Sequence, residues 1–119
     1  MGEAYLNGKG VNKNIDSAIF WLEKAFESKD KLVSKSASGF LGLIYETGLG
    51  RASDFEKSVF YYTKAVSEGH YTSAFPLAYL YLQGHGTEVN YSKANDLFNI
   101  SHKNGDKRAT NWLIQNGEL

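Results

Sequence analysis

The stretch YETGLGRASDFEKSVFYYTKA, Tyr45 to Ala65, places a Gly-x-Gly ahead of an acidic residue and a run of aromatics. Taken alone, it matches a phosphate-cradling loop that opens a helix, where free backbone N–H groups face an anion. Two other segments align with it: YLNGKGVNKNIDSAIFWLEKA, Tyr5 to Ala25, and YLQGHGTEVNYSKANDLFNIS, Tyr81 to Ser101. In all three the tyrosine precedes the first Gly by three positions and the second by five, and fifteen positions separate the second Gly from Ala25, Ala65 or Ser101. A ligand loop occurs once, whereas a solenoid needs its turn in every unit, so the recurrence makes the glycines scaffolding.

The tyrosines stand 40 and then 36 residues apart, a period that indicates stacked helix pairs. The four extra residues fall near Lys29-Asp30-Lys31-Leu32, because Ala25 to Ala37 spans twelve positions where Ala65 to Ser73 and Ser101 to Ala109 span eight. One more helical turn or a longer loop absorbs them. Each unit reads as helix, glycine turn, helix. In the first helices, Ala37, Leu41, Ile44 and Tyr45, and likewise Ser73, Leu77, Leu80 and Tyr81, form one apolar stripe at three-to-four spacing. Gly42 and Ala78 beside it are small and admit a close neighbour. Pro76 is tolerated near a helix start, where its missing N–H has no intrahelical acceptor to lose.

The pairs Gly8 and Gly10, Gly48 and Gly50, and Gly84 and Gly86 are expected to close the first helices, and Asn14, Asp54 and Asn90 to cap the second ones. The buried stripes of the second helices are then Ile15, Ala18, Leu22 and Ala25; Phe55, Ser58, Tyr62 and Ala65; and Tyr91, Ala94, Phe98 and Ser101, widened by Trp21, Tyr61 and Leu97. Residues 1–119 form a single repeat domain with units at about 1–30, 33–70 and 71–105. The first unit begins inside its first helix, and a partly polar terminal helix covers 107–115, with Ala109 and Leu113 facing inward.

Bulk properties remove several function classes. The 119 residues suffice to bury about two thirds of the unfolded surface. Thirteen basic and thirteen acidic side chains balance, so the basic footprint of a nucleic-acid binder is missing. No apolar run approaches the ~20 residues of a membrane span, and no signal peptide opens the chain. The lack of cysteine excludes disulfides, thiolate metal sites and a cysteine nucleophile. These features favour a cytoplasmic location without settling the compartment, since the chain can also be a fragment of a longer one.

The combination in ASGFLGLIYETGLGRASDFEKSVFYYTKAVSEGH, Ala37 to His70, resembles the Sel-one-like repeat, a relative of the tetratricopeptide repeat: Ala-x3-Leu-Gly-x2-Tyr-x2-Gly-x-Gly, an acidic cap, Lys, paired aromatics, Lys-Ala and a closing Gly. The third unit departs from it at Ser73, Ala78 and Asp96. The resemblance implies an all-α, right-handed superhelical solenoid of antiparallel helix pairs that serves as a protein-interaction scaffold without catalytic residues. Some relatives are cysteine-rich secreted proteins proposed to act on β-lactams, from which this cysteine-free chain differs.

Sites for chemistry are scarce. His70, His85 and His102 show no i, i+4 ligand pairing, and His85 sits at the variable centre of a turn where Lys9 and Leu49 stand in the other units. No Gly-x-Ser-x-Gly elbow occurs, and Glu68 near His70 sits at a helix end where charge is usually solvated. The expectation is no catalytic residue, no cofactor and no metal. The sharper feature is the face of the first helices opposite the buried stripe, which carries Leu43, Phe75, Tyr79 and Leu82 where a solvated face should be polar. First helices line the concave surface of tetratricopeptide-like solenoids, so these residues, rimmed by Glu46, Asn111 and Gln115, are expected to form a groove floor for a protein or peptide. The competing expectation tucks Phe75 and Tyr79 against an adjacent helix. If they are free, alanine at both should weaken partner binding and leave melting nearly unchanged.

The leading function is therefore a non-enzymatic adaptor. Second stands a small inhibitor or immunity-type protein using the same groove, and third an amide hydrolase acting on cell walls or β-lactams. Self-association through the truncated first unit is a further route to partnership.

Overall fold

The computed structural model of the chain describes residues 9–48 and 54–119, with side chains from residue 15 onward. Among the described residues, six α-helices and one 3-10 turn follow one another without a strand: α1 (Lys9–Phe26), α2 (Lys31–Thr47), α3 (Phe55–Ser67), the 3-10 turn Tyr71–Ser73, α4 (Ala74–Gln83), α5 (Tyr91–Lys103) and α6 (Lys107–Gln115). Helices α2 and α3 form one closely packed pair and α4 and α5 the next, while α1 lies on α2 and α6 on α5. This is an all-α solenoid of the tetratricopeptide type.

The expected start and stop signals operate in the second and third units. Asp54 and Asn90 hold extended backbone conformations and accept from the N–H groups of Lys57 and Lys93 at 3.1 and 3.0 Å, satisfying donors that the first turn leaves free. Each cap residue also straps the turn, donating its own N–H to the carbonyl of the tyrosine that ends the preceding helix, Asp54 to Tyr45 at 2.8 Å and Asn90 to Tyr81 at 3.0 Å. Gly84 closes α4 with φ 71° and donates to Leu80, a left-handed cap that a side chain would strain. Gly48 closes α2 in the same way.

The first unit departs from this scheme. Gly8 and Gly50 lie outside the described residues, but Gly10 and Asn14 fall within α1, so Asn14 is no cap and the expected turn at Gly10 is absent. Gly and Asn lower helix propensity without forbidding the helix, and no proline interrupts KGVNKN. The four inserted residues are taken up by helix: Asp30 caps α2 through the N–H of Leu32 at 2.9 Å, and the helix begins one turn ahead of the counterpart of the 3-10 turn Tyr71–Ser73 that precedes α4. Pro76 occupies the third position of α4, where no intrahelical bond is lost.

Helix α3 divides the interior. On one side Ile19, Leu41, Ile44, Tyr45 and Tyr61 form a core between α1, α2 and α3, with Tyr45 and Tyr61 stacked 5.8 Å apart. On the other, Tyr62, Leu77, Leu80, Ala94, Phe98 and Leu113 join α3 through α6, with Phe98 stacked on Trp112 at 3.9 Å. Leu41, Phe98 and Leu113 are fully buried, each contributing about 1.5–3 kcal/mol of transfer free energy. The α2–α3 approach is especially close: Ser58 Oγ donates to the carbonyl of Gly42 at 2.8 Å, and a Cβ on Gly42 would lie 2.5 Å from the Tyr62 ring.

Both first-helix stripes are buried as expected, as are Ser58, Tyr62, Ala65, Ala94, Phe98 and Ser101. In α1 the most buried side chain is Ile19 instead of the expected Ile15, Ala18, Leu22 and Ala25, which are half-buried, and Trp21 is 65% exposed. Tyr91 is 70% exposed, although its counterpart Phe55 is half-buried and stacks on His85 of the following turn. Periodicity assigned both tyrosine and phenylalanine to the stripe, and the turn of the next unit covers Phe55.

Candidate functional site

The groove begins with one face of α2 and one of α4, on which Leu43 and Tyr79 are equivalent positions of the repeat. Leu43 and Glu46 leave α2 one turn apart, and Phe75, Tyr79 and Gln83 leave α4 at four-residue spacing, so both helices present one outer stripe to the same space. Pro76 on α4, Tyr62 from α3 and Arg108 from the first turn of α6 complete the walls of a cavity of about 430 Å³.

Phe75 and Tyr79 are both floor and core. Their rings meet edge to face at 5.1 Å, and each packs edge to face on the buried Phe98, at 5.7 and 5.3 Å. They are half-buried, with one flank in the core and another on the cavity. The two competing expectations are thus each half right, and alanine at both is now expected to lower melting as well as binding. Removing two rings from Phe98 leaves a void in the interior.

Polar groups frame the aromatic floor. The Tyr62 ring is buried and its hydroxyl donates to Glu46 Oε1 at 2.6 Å. Burial first, and then the Glu46 carboxylate, push the Tyr62 phenol above its ordinary range, so it stays a donor. Arg108 lies over the Phe75 ring, 4.3 Å from its centroid, and is gripped by Asp106, its Nε donating to Oδ1 at 3.0 Å and its Nη2 to Oδ2 at 2.7 Å. The same Asp106 caps α6 by accepting from the N–H of Arg108. Hydrogen bonding from Arg108 holds the Asp106 carboxyl below its usual value, so the pair is ionised at neutral pH.

A smaller pocket of about 130 Å³ adjoins the groove at Leu43 and is bounded by Gly39, Phe40 and His70. His70 is placed by the end of α3: Gly69, with φ 97°, turns the chain so that its own N–H reaches Val66 and the N–H of His70 reaches Ala65 at 2.8 Å. The imidazole then lies across Gly39, with Nδ1 2.8 Å from Ser73 Oγ. Burial, aided by the Lys35 ammonium, holds it below its ordinary pKa of 6.5.

Of the seven residues expected on this face, Leu43, Glu46, Phe75 and Tyr79 come together in one cavity. Leu82 lines a separate depression of about 450 Å³ with Tyr91, Asn95 and Trp112, and Asn111 and Gln115 are exposed on α6 away from both. Sequence reasoning left out Tyr62, Pro76, Gln83 and Arg108. Tyr62 carried a readable signal, since a hydroxyl inside an apolar stripe needs a partner. Arg108 carried none, because its counterparts Ser36 and Thr72 are small and neutral. Among the described residues, no group of three or more His, Asp or Glu side chains is arranged to hold a metal ion.

A family model for the Sel1 repeat matches residues 1–30, 36–70 and 73–106. Among solved structures, the crystal structure of a Sel1 repeat protein from Oxalobacter formigenes is similar to this chain, with 31% identity and a TM-score of 0.59 over 66% of this chain and 34% of that one. The chain spans about a third of the length of that relative.

Proposed function

Because the chain belongs to the Sel1 repeat family, whose members generally mediate protein–protein interaction, we propose that it is a non-enzymatic adaptor holding a protein or peptide segment on the outer stripe of α2 and α4. The observation that carries this reading is the groove itself. The first helices of two successive repeats converge on one cavity that combines apolar and aromatic walls, Leu43, Phe75, Pro76 and Tyr79, with fixed polar groups, Glu46, Tyr62 and Arg108. Recognition sites on proteins have this composition, because ring faces supply contact area at little entropic cost and fixed polar groups set orientation. Leu43, 48% exposed beside half-buried rings, is the accessible apolar contact in this set.

The test is affinity capture from lysate with the tagged chain, comparing wild type with Leu43→Ser. Leu43 makes little of the core, so the variant should melt within a few degrees of wild type. A specific protein captured by wild type and lost by the equally stable variant supports the adaptor at this groove. Identical capture by both removes the groove from the account.

A further inference from the structure

We propose that the segment taken by this groove carries a basic side chain, Lys or Arg, next to an apolar residue. This rests on the adaptor reading and specifies the chemistry of its partner. Two charged residues line the cavity, Glu46 and Arg108, and they are not equally available. Asp106 neutralises Arg108 through two hydrogen bonds, and the guanidinium plane is already committed to the Phe75 face. Glu46 receives only the neutral hydroxyl of Tyr62, and among the described residues the ion pairs join other side chains, Lys64 with Glu68 and Arg108 with Asp106. The sum over Glu46, Arg108 and Asp106 is one uncompensated negative charge, held by the Tyr62 hydroxyl in the wall of the cavity.

An entering cation meets this carboxylate and, in the same cavity, the ring of Tyr79. Carboxylate and aromatic face together suit an ammonium or guanidinium on an apolar stem. The chain already uses the second half of this arrangement internally, with Lys57 5.1 Å over the Tyr45 ring and Lys93 5.2 Å over that of Tyr81. An acidic segment would face Glu46 and find the guanidinium occupied. The volume of about 430 Å³ accommodates a few side chains, so the contact is with a short extended stretch.

The experiment uses pools of N-acetylated, C-amidated heptapeptides on beads, randomised except for one fixed central residue, and measures retention of the full chain. Pools fixed as Lys or Arg should retain wild type about tenfold more strongly than pools fixed as Asp or Glu, the scale of one charge-assisted contact. Glu46→Gln, which keeps an acceptor for Tyr62, should erase that difference and leave the apolar pools unchanged. No basic preference, or a preference that persists in Glu46→Gln, overturns the inference. In either case a loss of apolar-pool retention in Leu43→Ser leaves the adaptor reading standing, and unchanged retention in Leu43→Ser takes both down. Absence of retention by every pool also overturns the inference, and the adaptor reading then stands or falls on its capture test.

Discussion

At the scale of single residues, the α2–α3 approach depends on the absence of one methyl group. Gly42 sits where α2 meets α3, with its carbonyl accepting from Ser58 and its α-carbon against the Tyr62 ring. The corresponding residue of α4 is Ala78, fully buried, so the α4–α5 pair is spaced to admit a methyl group that the α2–α3 pair excludes. Gly42→Ala should therefore destabilise the protein by about 1–3 kcal/mol despite its better helix propensity, because the ring that must yield is itself held by Glu46. Urea denaturation measures this, and an unchanged or raised midpoint would contradict the close-packing account. Pattern reading found both small residues but not which pair was tighter. That difference depends on the partner side chain, Tyr62 in one repeat and Phe98 in the other.

At the scale of elements, the junction between α3 and α4 couples helix capping to the pocket beside the groove. The left-handed Gly69 delivers His70 onto Gly39, where it faces Lys35 from α2, Ser73 and Thr72 from the 3-10 turn, and lies two residues after Glu68. Its folded pKa is depressed, so the stability it contributes is complete above the unfolded value near 6.5 and is lost as pH falls towards the folded one. Wild type should lose stability as pH falls below about 6.5 and an imidazolium forms next to a lysine. The loss should shrink in His70→Gln, read as the difference in urea midpoint between pH 7.5 and 5. Parallel declines in both proteins would show that other groups carry the acid response. This element was half legible: the terminal glycine of the repeat was read as a closing signal, while the residue after it, with no partner suggested by periodicity, passed as an unpaired histidine.

At the scale of the whole molecule, two cores share one helix. Adjacent tyrosines of α3 face opposite ways, Tyr61 into the core with α1 and α2 and Tyr62 into the core with α4 to α6. Tyr61 reaches Glu23 on α1 through its hydroxyl at 3.1 Å and touches the Phe26 ring, which ties the first helix to the third. Contacts in such a stack run between neighbours, so damage should spread by nearest neighbours. Leu113→Ala, at a fully buried position of α6, should cost about 2–5 kcal/mol and raise amide exchange most in α4, α5 and α6, with α2 retaining more protection. Hydrogen exchange resolved by mass spectrometry reads this, and an equal loss across α2 and α6 would mean that the two cores melt as one.

The repeat, its register, the buried stripes of α2 and α4, those of α3 and α5 apart from their first residues, and the helix at 107–115 were determined by sequence alone, because a period of three to four residues and a recurring turn are local properties that each repeat states again. The four groove residues of α2 and α4 followed from the same counting. Tertiary structure decided the rest. It extended α1 across a glycine and an asparagine that weaken a helix without stopping it. It left Tyr91 exposed while its counterpart Phe55 stacks on His85, and it separated Leu82, Asn111 and Gln115 from the groove. It also brought Tyr62 and Arg108 into the groove from other helices, since which side chains meet across repeats depends on how helices cross, a quantity no single repeat contains.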